Sequence, residues 1–170
     1  MSRRRTVSSA EGQLSIQTTL REQAGRLGYR LAFLFLRVWW FIRRPASHGA
    51  AVALRAGEAI AVVRTSYHDR LDLPGGGVDR KETALTAAWR ELREETGVVV
   101  DPAVLAPVGQ VRFRQYCRAV TLDLFELDLP SAPVLTVDGI EIVWAGYRSL
   151  WSLEGAKISP GLQAYLDLLA

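Results

Sequence analysis

Apolar positions along the chain fall into three kinds of run. The first, residues 31–42, is apolar all round except for Arg37 and follows a stretch that becomes plausibly helical from about residue 20. It stops at Arg43-Arg44-Pro45, because proline disfavours helical geometry in the residue before it. The second kind is short and mostly apolar. Residues 49–55 and 59–64 flank Ala56-Gly57-Glu58, which predicts a hairpin of two buried strands. Residues 107–114, 120–127 and 139–147 read as further strands, the middle one alternating. The third kind has helical spacing. Leu85, Ala88, Trp89 and Leu92 sit at i, i+3, i+4 and i+7 within a helix expected over 82–96, with Gly97 as its stop. A short extended piece at 71–73 runs into Pro74-Gly75-Gly76-Gly77, and Ser159-Pro160 opens a final helix to about residue 169. Strands outnumber helices and precede or follow them irregularly, so the expected class is α/β with a mixed β-sheet.

Length and composition narrow this further. A chain of 170 residues with 49% apolar and 23% charged residues fits one folded domain with an added segment and excludes wholesale disorder. At that size about 70% of the unfolded surface is buried, so neither disulfides nor a structural metal are needed. The single cysteine, Cys117, excludes a disulfide framework and a zinc ribbon and suits a reducing, cytoplasmic compartment. The net charge of +3 conceals a split: residues 1–47 hold nine arginines against two glutamates, whereas residues 48–170 hold 12 Lys/Arg against 16 Asp/Glu. The chain therefore divides into a disordered basic arm (1–19), an apolar, arginine-striped helix (20–47) and an acidic domain (48–170).

The apolar run is too short to span a bilayer, which takes about 20 residues. Its 12 residues cover about 18 Å as helix, and Arg37 lies inside it. Eight Leu, Phe, Val or Ile residues at roughly 0.3–0.6 kcal/mol each are offset by about 3 kcal/mol for the arginine. A cleaved signal peptide is equally unexpected, since no small-residue cleavage site follows. Arg26, Arg30, Arg37 and Arg44 fall on one helical stripe, and Trp39 and Trp40 resemble interfacial anchors. Three placements are open: packing on the chain's own domain with arginines reaching water, peripheral contact with an anionic membrane through residues 27–44, or packing in a homodimer.

The helix over 82–96 carries an unfavourable charge pattern. Glu91, Glu94 and Glu95 crowd its last turns, at the negative end of the helix dipole, and Glu91 and Glu95 are like-charged i, i+4 neighbours. A charge run is ordinarily a solvated face. Glutamates at i, i+3 and i+4, however, aim three carboxylates toward one small volume, and such hard oxygen ligands suit Mg²⁺ or Mn²⁺. From Gly76 the chain reads glycine, five residues, Glu82, seven residues, then Arg90-Glu91-Leu92-Arg93-Glu94-Glu95-Thr96-Gly97-Val98. This resembles the Nudix box, G-x5-E-x7-R-E-U-x-E-E-x-G-U with U aliphatic, at every defined position. Seven fixed letters match by chance with a probability of about 10⁻⁸ to 10⁻⁹ per register.

The resemblance implies a Nudix-type α/β/α sandwich and metal-dependent hydrolysis of a pyrophosphate bond in a nucleoside diphosphate linked to another moiety. It implies Mg²⁺ (or Mn²⁺) held by Glu91, Glu94 and Glu95, completed by the Gly75 carbonyl, with Glu82 bridging a further metal through water. Arg90 would orient Glu91 by a charge-assisted hydrogen bond. Glu91, Arg90 and Glu94 form the implied catalytic set, with Glu91 a candidate base and Glu141 an alternative on a later loop. The partner implied is a nucleotide-derived small molecule. No nucleic acid is expected, because the basic residues precede the domain and no RNA-binding motif accompanies them. The rival reading is a non-catalytic nucleotide-binding module at a membrane surface, against which the intact acids argue. Signatures of NADH- and coenzyme A-specific members are not visible, and Tyr116 sits near where diadenosine-polyphosphate enzymes of the family place a tyrosine. Tyr67 and His68 precede the glycine turn and are candidates to touch a base or ribose. Trp144, Tyr147 and Trp151 are expected to pack, and Cys117 lacks a second cysteine or base that would make it a nucleophile.

Overall fold

A computed structural model describes residues 47–115 and 118–169, with the single positions Gly28 and Ala32. The basic arm, the apolar helix, Tyr116 and Cys117 lie outside the described residues apart from those two positions. The strands are β1 (Ser47–Ala56), β2 (Ala59–Thr65), β3 (Gly75–Gly77), β4 (Ala106–Gln115), β5 (Arg118–Leu129) and β6 (Ile142–Ser149). Two helices are described, α1 (Ala84–Thr96) and α2 (Pro160–Leu169). The sheet order is β4-β5-β1-β2-β6, with β3 paired to β1, and only the β1–β5 ladder is parallel. The sheet is therefore mixed, as the pattern of runs predicts.

Alternation along β1 builds both layers. Ala50, Val52 and Leu54 face α1 together with Ala87, Ala88, Leu92 and Phe125. Ala51 and Ala53 face the other way, toward Ile60, Leu124, Leu162 and Tyr165 of the α2 layer. Alanines on both faces of the central strand let each helix approach the sheet closely, and the result is an α/β/α sandwich.

The feature that positions the site is a wedge in the centre of the sheet. The hairpin partners β1 and β2 pair only near their turn, at Arg55 with Ile60 and Ala56 with Ala59. Beyond that they part, and residues 71–77 enter the gap. Asp72 exchanges backbone hydrogen bonds with Val63 (2.9 and 3.0 Å), Val52 donates to the Pro74 carbonyl (2.9 Å), and β3 then runs antiparallel to β1. The glycine turn is thus bound into the sheet and is not a loose loop.

Element ends differ slightly from the sequence expectation, for local reasons. Helix α1 begins at Ala84 and not at residue 82, because the Thr83 hydroxyl accepts the Thr86 N–H at 3.1 Å and caps it. Glu82 is left on the preceding turn. The helix ends at Gly97, whose φ of 73° no β-branched residue adopts readily. Strand β6 starts at Ile142 because the Asp138 carboxylate accepts the N–H groups of Ile140, Glu141 and Ile142, closing residues 139–141 into a turn. Ser159 Oγ accepts the Leu162 N–H at 3.0 Å and caps α2. No helix among the described residues is long and apolar enough to cross a membrane.

Leu92 is fully buried between α1 and the sheet. Leu92→Ala is expected to cost about 2–5 kcal/mol, read as a lower urea midpoint with an unchanged slope.

Candidate active site

Two elements build the site. Helix α1 carries the glutamates on its outer turns, and β3 brings three glycines against them. Gly75 and Gly76 have distinct reasons to lack a side chain. A Cβ on Gly75 would stand 2.5 Å from the Ala50 carbonyl oxygen, which is sheet backbone and cannot move cheaply. A Cβ on Gly76 would stand 2.2 Å from Glu91 Oε1, so the space beside Gly76 is the space that Glu91 occupies.

The acids separate into two groups. Glu95 is buried and accepts the Gly75 N–H on Oε2 at 2.9 Å. Burial pushes its carboxyl well above the usual range; the Gly75 N–H opposes this, and the charges of Glu91, Asp72 and Glu141 add to it. Glu91 lies beside Gly76 and is also raised by burial, with Arg90 opposing. The second group surrounds Arg90. Its Nη1 donates to Glu91 Oε1 at 2.7 Å and to Glu94 Oε2 at 3.4 Å. Its Nη2 donates to Glu82 Oε1 at 2.8 Å and to the Gly77 carbonyl at 3.1 Å. Glu82 also accepts the Asp79 N–H, and the bond from Arg90 holds its carboxyl below the usual range.

The three carboxylates of the box therefore do not converge on one point. Arg90 draws Glu94 and one oxygen of Glu91 toward itself, while Gly75 holds Glu95 on the inner side. Among the described residues no three His, Cys, Asp or Glu side chains form a close ligand group. What the fold does bring together is a pair of desolvated carboxylates, Glu91 and Glu95, flanking the glycine turn. Glu94 stays half-exposed at the rim and Glu82 is committed to the arginine.

Beside the turn lies a cleft of about 270 Å³. Asp72, Tyr67 and His68 line it near the glycines, and Phe113, Gln115 and Arg118 line it farther out. Tyr67 and His68 meet edge to face at 5.2 Å, and burial raises the Tyr67 phenol and lowers the His68 imidazole. Asp72 accepts the Ser159 hydroxyl and the Leu73 N–H, yet burial raises its carboxyl to about 6. Sequence reasoning missed Asp72, although a carboxylate between Leu71 and Leu73 in a strand leading to a glycine turn was a readable signal. It also missed Phe113, Gln115 and Arg118, which come from the far edge of the sheet and carry no local signature. Glu141 is close enough for its charge to act on both Glu95 and Tyr67. Trp144 packs over Gly146 with the Arg148 guanidinium 4.7 Å from its ring, and Tyr147 is partly buried against the α1 layer. Trp151 does not pack as expected: a short 3-10 turn leaves it 77% exposed.

A mixed sheet between two helices, with a glutamate-bearing helix clasped to a glycine strand by an arginine, defines a class of protein, the pyrophosphohydrolases. The chain belongs to the NUDIX domain family, whose model matches residues 44–155. Among solved structures, it is similar to a MutT NUDIX hydrolase from Burkholderia pseudomallei, with a TM-score of 0.65, 17% identity and coverage of 74% of this chain and 99% of that one. It is similar to a bifunctional NMN adenylyltransferase/ADP ribose pyrophosphatase from Francisella tularensis, complexed with AMP and a Mn ion. There the TM-score is 0.66 at 20% identity, over 83% of this chain and 47% of that one. The NUDIX domain of NrtR from Shewanella oneidensis, complexed with ADP ribose, gives 0.63 at 15% identity, over 74% and 86%. At these identities the likeness is one of fold. Comparison with curated proteins finds no match.

The two glycines give opposite expectations. Gly75→Ala meets backbone and should lower stability by about 1–3 kcal/mol. Gly76→Ala meets only the end of a flexible side chain, so thermal stability should hold while turnover falls about 100-fold through displacement of Glu91. Differential scanning calorimetry and a turnover assay separate the two. Asp72 makes a pH prediction. A carboxyl raised from 3.8 to about 6 contributes stability that is full below 3.8 and is lost as pH rises to about 6. Asp72→Asn, which retains an acceptor for Leu73, should remove a pH-dependent difference of at most about 3 kcal/mol in urea unfolding across that interval.

Proposed function

We propose that this chain hydrolyses the pyrophosphate bond of a nucleoside diphosphate linked to another moiety, with Mg²⁺ as its divalent cation and Mn²⁺ as a substitute. The observation that carries this reading is the Glu91–Glu95 pair. Two carboxylates are desolvated beside the glycine turn, both raised by burial and Glu95 further by the charge of Glu91, which is the environment a hard divalent cation relieves. The donor chemistry fits: carboxylate oxygens of Glu91 and Glu95, the Gly75 carbonyl beside them, and Glu94 at the rim. Glu82 belongs to an outer position, since Arg90 already engages it. The Mn ion in the Francisella structure is in keeping with this.

A bound divalent cation supplies neutralisation of the phosphate oxygens. The chain's own residues do the remainder. Arg90 fixes Glu91 through a charge-assisted bond to Oε1, which holds the carboxylate beside Gly76. Burial makes Glu91 a better proton acceptor than a surface glutamate, which suits it to take a proton from the attacking water. Glu141 is the second candidate for that proton, since its charge acts on Glu95. The cleft beside Gly75–Gly77 holds the non-phosphate part of the substrate, with Tyr67 and His68 on its wall. The ligands AMP and ADP ribose in the two neighbouring structures support a nucleotide-derived substrate. A non-catalytic binding module is disfavoured, because the acids and their arginine are all present and engaged.

The deciding experiment incubates the protein with Mg²⁺ and a panel of dinucleotides, nucleotide sugars and nucleoside triphosphates. Phosphate-containing products are expected, and chelation with EDTA should stop their release. Glu95→Gln should lower turnover by at least about 100-fold while keeping the native circular dichroism spectrum. Turnover unchanged in that variant would overturn the assignment.

A further inference from the structure

The cleft and the carboxylates lie on opposite faces of the sheet. Leu122 and Ala51 point to the α2 face and line the cleft, as does Phe113, which the hairpin register places opposite Val120. Ala50 points to the other face, where Glu91 stands beside its ladder partner Gly76. The two faces meet at the glycine turn. Gly75–Gly77 line the cleft, and Gly75 donates its N–H to Glu95. A ligand in the cleft and a group held by the carboxylates would therefore border the same three residues.

Size and walls select what the cleft takes. At about 270 Å³ it falls below the roughly 300–1,000 Å³ of sites that enclose drug-sized ligands, so it holds one moiety of a two-part substrate and leaves the other outside. Leu73, Phe113, Val120 and Leu122 give it an apolar lining with one aromatic ring. A nucleobase, planar and with its polar atoms on its edge, suits that lining. A sugar would leave hydroxyls without partners.

One carboxylate is set into this wall. Asp72 Oδ1 accepts both the Leu73 N–H and the Ser159 hydroxyl, whereas among the described residues Oδ2 accepts nothing. Gly161, at the start of α2, keeps the space beside it open. A Cβ there would stand 3.7 Å from Asp72 Oδ1 and 3.1 Å from Leu122 Cδ2. A shielded carboxylate with one unused oxygen calls for an N–H or O–H donor.

We propose that the cleft takes the nucleobase and that Asp72 Oδ2 accepts a hydrogen bond from its exocyclic amino group. The substrate class is then a diphosphate of an amino-bearing nucleoside, such as adenosine or cytidine, joined to a second moiety that the cleft does not read. Hydrolysis of that diphosphate rests on the reading above; recognition of the base does not. Adenine and cytosine present an amino group where hypoxanthine and uracil present a carbonyl oxygen. That oxygen against an ionised carboxylate leaves two acceptors facing each other. From Asp72 to Gly75 the chain runs at most roughly 10 Å, so a base seated at Asp72 leaves its phosphates by the glycine turn.

The test compares ADP-glucose with IDP-glucose and CDP-glucose with UDP-glucose, pairs that exchange the amino group for a carbonyl oxygen. The assay holds Mg²⁺ at pH 8, above the value of about 6 to which burial raises Asp72. In each pair kcat/KM should be at least about tenfold higher for the amino base. In Asp72→Asn the amide oxygen must take the Oδ1 position to keep the Leu73 and Ser159 bonds, which turns the amide nitrogen, a donor, toward the cleft. The preference should then disappear or reverse, a change that a merely structural role for Asp72 would not produce. Exchanging glucose for another second moiety should matter less than exchanging the base. Calorimetric titration with AMP, IMP, CMP and UMP reads the same preference without turnover.

Equal use and equal affinity within both pairs, or an unchanged preference in Asp72→Asn, overturns the base assignment and leaves the hydrolase reading intact. So does selectivity for the second moiety with none for the base. An amino preference in titration with no hydrolysis of any diphosphate overturns the hydrolase reading and upholds the base site. Should Asp72→Asn fail to fold, Phe113→Ala replaces it. That variant should weaken all four mononucleotides at least about fivefold while keeping the amino preference, and unaltered affinities overturn the proposal.

Discussion

One contact organises this domain: the hydrogen bond from the Gly75 N–H to the buried carboxylate of Glu95. A carboxylate with no water and no cationic side chain on it is costly, and the backbone donor offsets only part of that cost. It is tolerated because Gly75 is itself immovable, wedged between the parted strands of the first hairpin and hydrogen-bonded into β1. Helix α1 is consequently held to the sheet at two levels. Leu92, Ala87 and Ala88 bury its apolar stripe, and Glu95 ties its last turn to the glycine strand. The apolar contacts supply most of the stability and the polar one supplies the register.

From that register the rest of the site follows. With Glu95 placed inward, Glu91 one turn earlier falls over Gly76, and Arg90 beside it falls where it can reach Glu82, Glu94 and the Gly77 carbonyl at once. The arginine has the role of a spacer as much as a counter-charge. It keeps the outer glutamates apart from the inner pair and leaves the inner pair mutually repelling and desolvated. A site prepared for a cation has this character: like charges confined by structure rather than neutralised by it.

Electrostatics at larger scale follows a similar division. Helix α1 holds acidic charge beside the glycine turn, while Arg118 lines the outer part of the cleft.

How much of this was legible in the residues depends on how local each feature is. The box from Gly76 to Val98 is contiguous, so its spacing alone identified the family, the helix, its glycine stop and the acids. The hairpin and the strands were legible for the same reason, since periodicity is a property of neighbouring residues. The start of α1 shifted by two residues because a threonine side chain competed for a backbone donor, a local preference that periodicity does not register. The cleft was not legible. Asp72, Phe113, Gln115 and Arg118 become neighbours only because the parallel β1–β5 ladder and the β4–β5 hairpin carry them to one end of the sheet. Nor was the separation of the glutamates legible, because spacing on a helix sets which face a side chain leaves from and not which partner it finds. Sequence by itself determined the family, the chemistry of the donors and the charge of each segment. Tertiary structure decided which carboxylates lose their water and where the ligand cleft opens, because desolvation and juxtaposition depend on contacts between residues far apart in the chain.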